Sequence, residues 1–426
     1  MPAYPDRDAA DLRDEMASLE ERLEAFRTRK LALDMTRGKP CPAQLDLANG
    51  MLTCLGEDDY RAADGADCRN YGGLDGLPEA RTLLAEMIGV APEAVLLGNN
   101  SSLALMHDAV LRALVFGVPG GDGPWNRGPV KFVCPAPGYD RHFAICEHFG
   151  IEMIPVAMTD DGPDVDAIEQ IAGADAAVKG LWCVPKYANP TGATCSDATV
   201  DRLAGLRTAA PDFRIFWDNA YAVHHLGDGP APLKDILAAC AAAGRPDRPL
   251  VFGSTSKVTF AGGGIGCLAA SPANLDDARG HLKFRTIGPD KLNQLRHARF
   301  FGSIDGLLEH MRGHAAILKP KFDAVQAILA RELDDCGVAT WSRPTGGYFV
   351  NLDVLDGCAK EVGRLAGEAG VKLTQPGATY PYGKDPRDRN IRIAPTLPSL
   401  EEITTAMELV CVCVRLAAAR KLAGAA

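Results

Sequence analysis

The stretch VFGSTSKVTFAGGG, residues 251–264, opens as an apolar strand and closes on three glycines, with Lys257 set among Ser254, Thr255 and Ser256. Lysine avoids burial, so a lysine where an apolar run breaks into a glycine-rich turn points to a site. On either side of it, short β-rich runs alternate with helical stretches: AVLLG (94–98), VKFVC (130–134), EMIPVAM (152–158), GLWCV (180–184), RIFW (214–217), PLVFG (249–253) and GIGCLAA (264–270). Several are continuously apolar rather than alternating, the pattern of strands covered on both faces. The expected fold class is α/β, a mainly parallel sheet flanked by helices. In such sheets ligands bind beyond the carboxyl ends of the strands.

The flanks complete the organisation. Residues 8–29 carry Leu12, Met16, Leu19, Leu23 and Phe26 at helical spacing, an amphipathic helix that must lie on its own domain or on a second subunit. The last hundred or so residues read as a smaller α+β unit. A helical stretch (310–335) leads to GGYFVNLDV, GVKLTQPG and NIRIAP, and then to a helix starting near Leu400. The expected division is an arm (1–45) joining the small domain, a large domain (46–309) and a small C-terminal domain (310–426). PGGDGPWNRGP (119–129) reads as a surface loop.

Bulk properties exclude several classes. Of 426 residues, 47% are hydrophobic and 23% charged, ordinary for a globular enzyme. A formal charge of −10 argues against nucleic acid or an anionic membrane as the main partner. No run of about 18 apolar residues exists to cross a membrane, and the acidic start MPAYPDRDAADLRDEM is unlike a signal peptide. Thirteen cysteines without a CxxC pair read as reduced, mostly buried thiols in a cytoplasmic protein.

Five strand ends carry chemistry. After GLWCV comes VPKYANPTG with Asn189, and after RIFW come Asp218, Asn219, Ala220 and Tyr221. PLVFG leads to Ser254 and Lys257, VKFVC to PAPGYDRHF with Tyr139, Arg141 and His142, and AVLLG to NNSSL with Asn100, Ser101 and Ser102. Singly, each has an ordinary explanation: a turn at Asn189, helix caps at Asp218 and the serines, a core ring at Tyr139, a snorkelling stem at Lys257. Jointly they describe a site for pyridoxal phosphate. A lysine amine condenses with an aldehyde and moves protons. A carboxylate beside the ring nitrogen keeps it protonated, so the ring draws electrons. Asn and Tyr bond the ring oxygen, an aromatic stacks on its face, and hydroxyls at a helix start hold phosphate.

At these motifs the chain resembles a fold-type I aminotransferase of the aspartate aminotransferase superfamily. The order Y-x-x-x-x-G, N-P-T-G, D-x-A-Y, S-x-S-K and a late arginine carries the likeness along nearly the whole chain. TSKVTFAGGG, APGYDRHF and LDMTRGKP resemble the MocR-like subgroup Ic. The resemblance implies that Lys257 is the Schiff-base lysine and Asp218 the partner of the pyridine nitrogen. It places Tyr221 and Asn189 on the phenolic oxygen, Tyr139 on the ring face and His142 behind Asp218. Asn100, Ser101, Ser102 and Ser254 fall in the phosphate cup. Tyr71 matches a tyrosine that reaches the neighbouring subunit's phosphate, which implies a homodimer with shared active sites. Arg392 matches the arginine that grips the substrate α-carboxylate through a bidentate pair, and Gly38 lines the substrate space. One departure stands out. Relatives place a phosphate-binding arginine shortly after the lysine, where this chain has Gly262, Gly263, Gly264 and Ile265.

The implied reaction is transamination between aspartate or glutamate and 2-oxoglutarate or oxaloacetate. A dicarboxylic amino acid needs a second cation besides Arg392. Arg141, two residues beyond Tyr139, is the candidate, with Arg285 and Lys39 behind it. Alternatives that keep the lysine are aromatic, kynurenine-type or aminoadipate transamination and carbon–sulfur lysis. A transcription factor with a fused winged helix is disfavoured, because the segment before TRGKP is short and acidic.

Overall fold

A computed structural model gives the positions of residues 3–98, 100–227 and 229–424. Asn99, in the NNSSL stretch, lies outside the described residues. Eight strands form one sheet in the spatial order Val95–Gly98, Gly266–Ala270, Pro249–Ser254, Arg214–Asp218, Val178–Cys183, Lys131–Ala136, Glu152–Thr159 and Gly162–Pro163. From Pro249–Ser254 across to Glu152–Thr159 every pairing is parallel. Gly266–Ala270 runs antiparallel to both neighbours, and Gly162–Pro163 folds back on the edge. All seven expected strands are present.

Successive side chains of these strands enter opposite cores, as pleating demands. Val133, Leu181, Ile215 and Val251 join one cluster; Phe132, Trp182, Phe216 and Phe252 join the other. Both faces are therefore apolar, which explains the continuous runs. Glu152–Thr159, next to the edge, buries only Met153 and Val156 and leaves its other residues partly or fully exposed.

A second core gathers the two ends of the chain. The helix Ala9–Thr28, capped by the Asp8 side chain, buries Leu12, Leu19 and Leu23 in the same cluster as Val410, Val414 and Leu416 of the helix Leu400–Leu422. Of the two options left open for the early helix, the chain's own C-terminal unit takes it. Glu15 anchors the contact, accepting from Tyr4 Oη at 2.7 Å and pairing with Arg415 at 2.5 Å. Leu33–Met35 pairs in parallel with Val371–Leu373, which carries the TRGKP segment towards the sheet. Asn390–Ile393 lies antiparallel to Val350–Val354 and sets Arg392 opposite Asn351.

Two expectations change. The long helix runs Ile304–Leu333, six residues earlier than its expected start at 310, because the Ser303 hydroxyl caps the Gly306 N–H. The expected division at residue 310 thus falls within one continuous helix: Leu307 and Met311 belong to a core of the sheet, Leu318, Phe322 and Val325 to the terminal core. The expected surface loop 119–129 is partly core, since Trp125 is buried and its Nε1–H donates to Asp212 Oδ2 at 2.8 Å. No described helix is long and apolar enough to cross a membrane.

Leu19 is 1% exposed within the terminal core. Leu19→Ala should lower stability in urea unfolding by about 2–4 kcal/mol; a loss below about 0.5 kcal/mol would show that this helix is not docked.

Candidate active site

The direction of the strands decides which loops meet. Asp218 and Ser254 end their strands, while Asn189, Tyr139 and Ser101 follow theirs. Because these strands run the same way, all five groups reach one edge of the sheet. Gly266–Ala270 runs oppositely, so its entry, not its exit, lies at that edge.

The Lys257 turn is held through its backbone. Ile265 N–H donates to Thr255 Oγ1 at 2.9 Å, and the Thr255 and Thr259 hydroxyls each lie 3.0 Å from His297 Nε2. Tyr348 Oη donates to the Lys257 carbonyl at 3.3 Å, and His224 Nε2 lies 3.4 Å from the same oxygen. His310 Nε2–H donates to the Val258 carbonyl at 2.7 Å, with His314 Nε2 3.1 Å from His310 Nε2. Gln44 in turn donates to His314 Nδ1 at 2.9 Å and to Tyr348 Oη at 3.1 Å. Burial lowers the pKa of all four histidines, to about 4 for His297 and His314, so they are neutral donors and acceptors at physiological pH. This network was not foreseen from sequence; its one signal was His310 and His314 at i,i+4 on a helix face.

The lysine amine itself is left available. Its Nζ lies 5.0 Å from the centre of the Tyr221 ring. Burial lowers its pKa, with Asp218 pulling the other way. Asp218 is 1% exposed. Its Oδ2 lies 3.1 Å from His142 Nε2, and His142 stacks on Trp182 at 4.4 Å. Asp218 Oδ1 is buried without a hydrogen-bond partner among the described residues. A bare buried carboxylate oxygen beside an amine is what a protonated ring nitrogen would satisfy, so the residues present fit pyridoxal phosphate. Burial also raises the Tyr139 and Tyr221 hydroxyls above their ordinary range, keeping both protonated.

Lys257 opens into a cavity of about 410 Å³ whose lining includes Gly38, Tyr139, Arg141, Asn189, Tyr221 and Arg392. Arg392, 5% exposed, pairs with Asp140 Oδ1 at 3.0 Å and reaches Asn189 Oδ1 at 3.3 Å, with Phe349 4.9 Å beneath its guanidinium. A Cβ on Gly38 would stand 2.6 Å from Phe349 Cζ, so any larger residue there would push the Phe349 ring aside. Arg37, Lys39 and Arg141 also line the cavity and are exposed, with no ion-pair partner among the described residues. The protein is acidic, yet this wall is cationic.

The remaining expected residues divide. Ser256 Oγ donates to the Asn100 carbonyl at 3.0 Å, which joins the Lys257 turn to the Asn100–Ser102 turn. Ser101 caps the helix Ser102–Phe116, its hydroxyl accepting from Ala104 N–H, and Ser102 and Ser254 are buried alongside. A Cβ on Gly264 would lie 3.0 Å from Ser256 N and 3.1 Å from the Asn100 carbonyl. The turn is thus closed by a near-contact of backbones. None of these residues lines the Lys257 cavity; Asn100 instead lines a neighbouring pocket of about 370 Å³ with Gly262, Gly263 and Gly264. Tyr71 is 80% exposed, and Arg285 pairs with Asp108 on the neighbouring helix, which removes it as a reader of substrate. Asp140 and Phe349 line the cavity without having been singled out.

A family model described as aspartate amino-transferase matches residues 8–426. The aspartate aminotransferase of Corynebacterium glutamicum is 48% identical, over 95% of this chain and 94% of its own. The crystal structure of an aspartate transaminase from Corynebacterium glutamicum superposes with a TM-score of 0.97 at 46% identity, covering 99% of each chain. More distant is the 2-aminoadipate transaminase of Thermus thermophilus, 26% identical over 74% of each chain.

The buried neutral histidines fix a pH dependence. Their pKa values are depressed on folding, so the unfolded chain binds protons first, and stability falls as pH drops from about 6.5 towards 4. Thermal midpoints of wild type and His314→Gln should converge on acidification from pH 7.5 to 4.5; parallel curves would reject a buried neutral His314.

Proposed function

The chain belongs to the aspartate aminotransferase family, and on that premise we propose that it transfers an amino group between aspartate or glutamate and 2-oxoglutarate or oxaloacetate. It is an aminotransferase of the pyridoxal phosphate fold type I. The observation that carries the substrate reading is one cavity in which Lys257 and Arg392 share a wall with three unpaired cations, Arg37, Lys39 and Arg141. A dicarboxylate entering an acidic protein needs such a locally positive site.

The cofactor supplies an aldehyde and an electron-withdrawing ring that stabilises negative charge at the substrate α-carbon. Asp218 Oδ1 would hold the ring nitrogen, with His142 on Oδ2 fixing the carboxylate. Tyr221 and Asn189 would bond the ring oxygen, and Tyr139 would stack on the ring. Asn100, Ser101, Ser102 and Ser254 receive the phosphate, with the start of helix Ser102–Phe116 adding N–H donors. The stretch after the lysine, Gly262, Gly263, Gly264 and Ile265, adds no basic side chain to them. Arg392 binds the α-carboxylate, and Gly38 leaves room for it beside Phe349. The Lys257 amine, neutral more readily than an exposed lysine, would take the substrate α-proton and carry it for redelivery. Hydrogen bonds to its carbonyl hold the backbone while the side chain swings.

The site is completed by a second copy. Tyr71 stands 80% exposed beside a segment with Phe284 at 83% and Ile287 at 63% exposure, apolar surface suited to an interface. In the homodimer Tyr71 reaches the partner's phosphate. The two-domain reading assigns residues 46–309 to the cofactor and 310–426, with the 1–45 arm, to the smaller unit. With thirteen free cysteines and no CxxC pair, the enzyme works in the cytoplasm.

Lys257→Ala should abolish the visible absorbance of the bound cofactor and lower kcat about a hundredfold or more; wild-type turnover in that variant would end the assignment. Arg141→Ala should raise the KM for aspartate about tenfold or more, the size of a lost charge-assisted contact, and leave a leucine donor little changed. Equal losses on aspartate and leucine would remove Arg141 as reader of the side-chain carboxylate.

A further inference from the structure

Arg392 already has an anionic partner inside the chain. Asp140 follows Tyr139, opens the helix Asp140–His148 and sends Oδ1 to within 3.0 Å of Arg392 Nη1. The rest of the guanidinium is loosely held. Nη1 also reaches Asn189 Oδ1 at 3.3 Å, Nη2 reaches the Thr36 carbonyl and Thr374 Oγ1 at 3.4 Å each, and Nε is buried with no partner among the described residues. Asp140 is the one carboxylate lining this cavity among the described residues, against five cationic side chains. Its side chain is 33% exposed, so it has room to move, whereas the Arg392 side chain, 5% exposed, does not.

We propose that Asp140 is an internal competitor for the substrate α-carboxylate at Arg392, a built-in weakening of ligand binding that favours release. This rests on the aminotransferase reading of the cavity. An incoming carboxylate that takes both Nη1 and Nη2 must break the Asp140 contact. One that enters by Nε and Nη2 instead shares a guanidinium with a second carboxylate and meets its repulsion. On either approach Asp140 subtracts from affinity. The subtraction serves the reaction: a keto acid product carries the same carboxylates as the substrate, and binding both tightly slows turnover without speeding the chemical step. On displacement Asp140 has Arg37, Lys39 and Arg141 on the same wall to receive it.

The opposite reading makes Asp140 a buttress that orients Arg392, and the two differ in sign. Calorimetric titration of the cofactor-loaded protein with succinate, which has two carboxylates and no amine to react, separates them. Asp140→Asn and Asp140→Ser should both bind succinate about tenfold tighter or more, the size of one charge-assisted hydrogen bond released. Unchanged or weaker binding in both variants, with aspartate turnover intact in the wild type, overturns the proposal alone. Absence of succinate binding in every form, together with no aspartate turnover in the wild type, overturns the aminotransferase reading and this inference with it.

Discussion

A carboxylate with one oxygen bonded and the other bare, at 1% exposure, is the constraint around which this molecule is built. Burying Asp218 unsatisfied is costly, and the sheet must hold it against that cost. It does so by ending the strand Arg214–Asp218 between two parallel neighbours and backing the residue with His142, itself stacked on Trp182. The other oxygen is left without a partner among the described residues, and its charge is felt at the Lys257 amine.

The lysine is handled differently. Its main chain is fastened by Tyr348 and His224, that of Val258 by His310, and the flanking threonines meet His297. The amine takes no part in that fastening. A fastened main chain with an unfastened amine suits the proton-carrying role proposed for Lys257. The anchors come from both cores, since His310 and His314 sit on the helix Ile304–Leu333 that spans them. Packing of the terminal unit and geometry at Lys257 are therefore mechanically linked.

Charge shows the same separation of local from global. The protein carries −10 overall, yet its cavity gathers Arg37, Lys39, Arg141, Lys257 and Arg392 around a single acid. Salt at about physiological strength screens surface charge beyond roughly 8 Å, so the wall of the cavity, not the sum over the surface, decides what enters. Asp140 tempers that wall where binding would otherwise be too strong for release.

All seven expected strands were legible because both faces of the sheet are covered, which writes each strand as an unbroken apolar run between turn residues. The motifs at their ends were legible because backbone direction forces polar groups to one edge. Hidden were the features that depend on partners distant in sequence. Leu33–Met35 is a strand only because Val371–Leu373 lies beside it. The early start of the long helix turned on one serine cap. Trp125 looked like loop until Asp212 met it. The antiparallel course of Gly266–Ala270 left no mark in its composition. Sequence by itself determined the fold class, because local periodicity encodes it, and marked Lys257 and Asp218 as candidates, because both follow apolar strands. Tertiary structure alone decided that glycine at 264 closes two backbones together, that Arg285 belongs to Asp108, and that Asp140 rests on Arg392, because each is a distance between residues that the chain brings together only by folding.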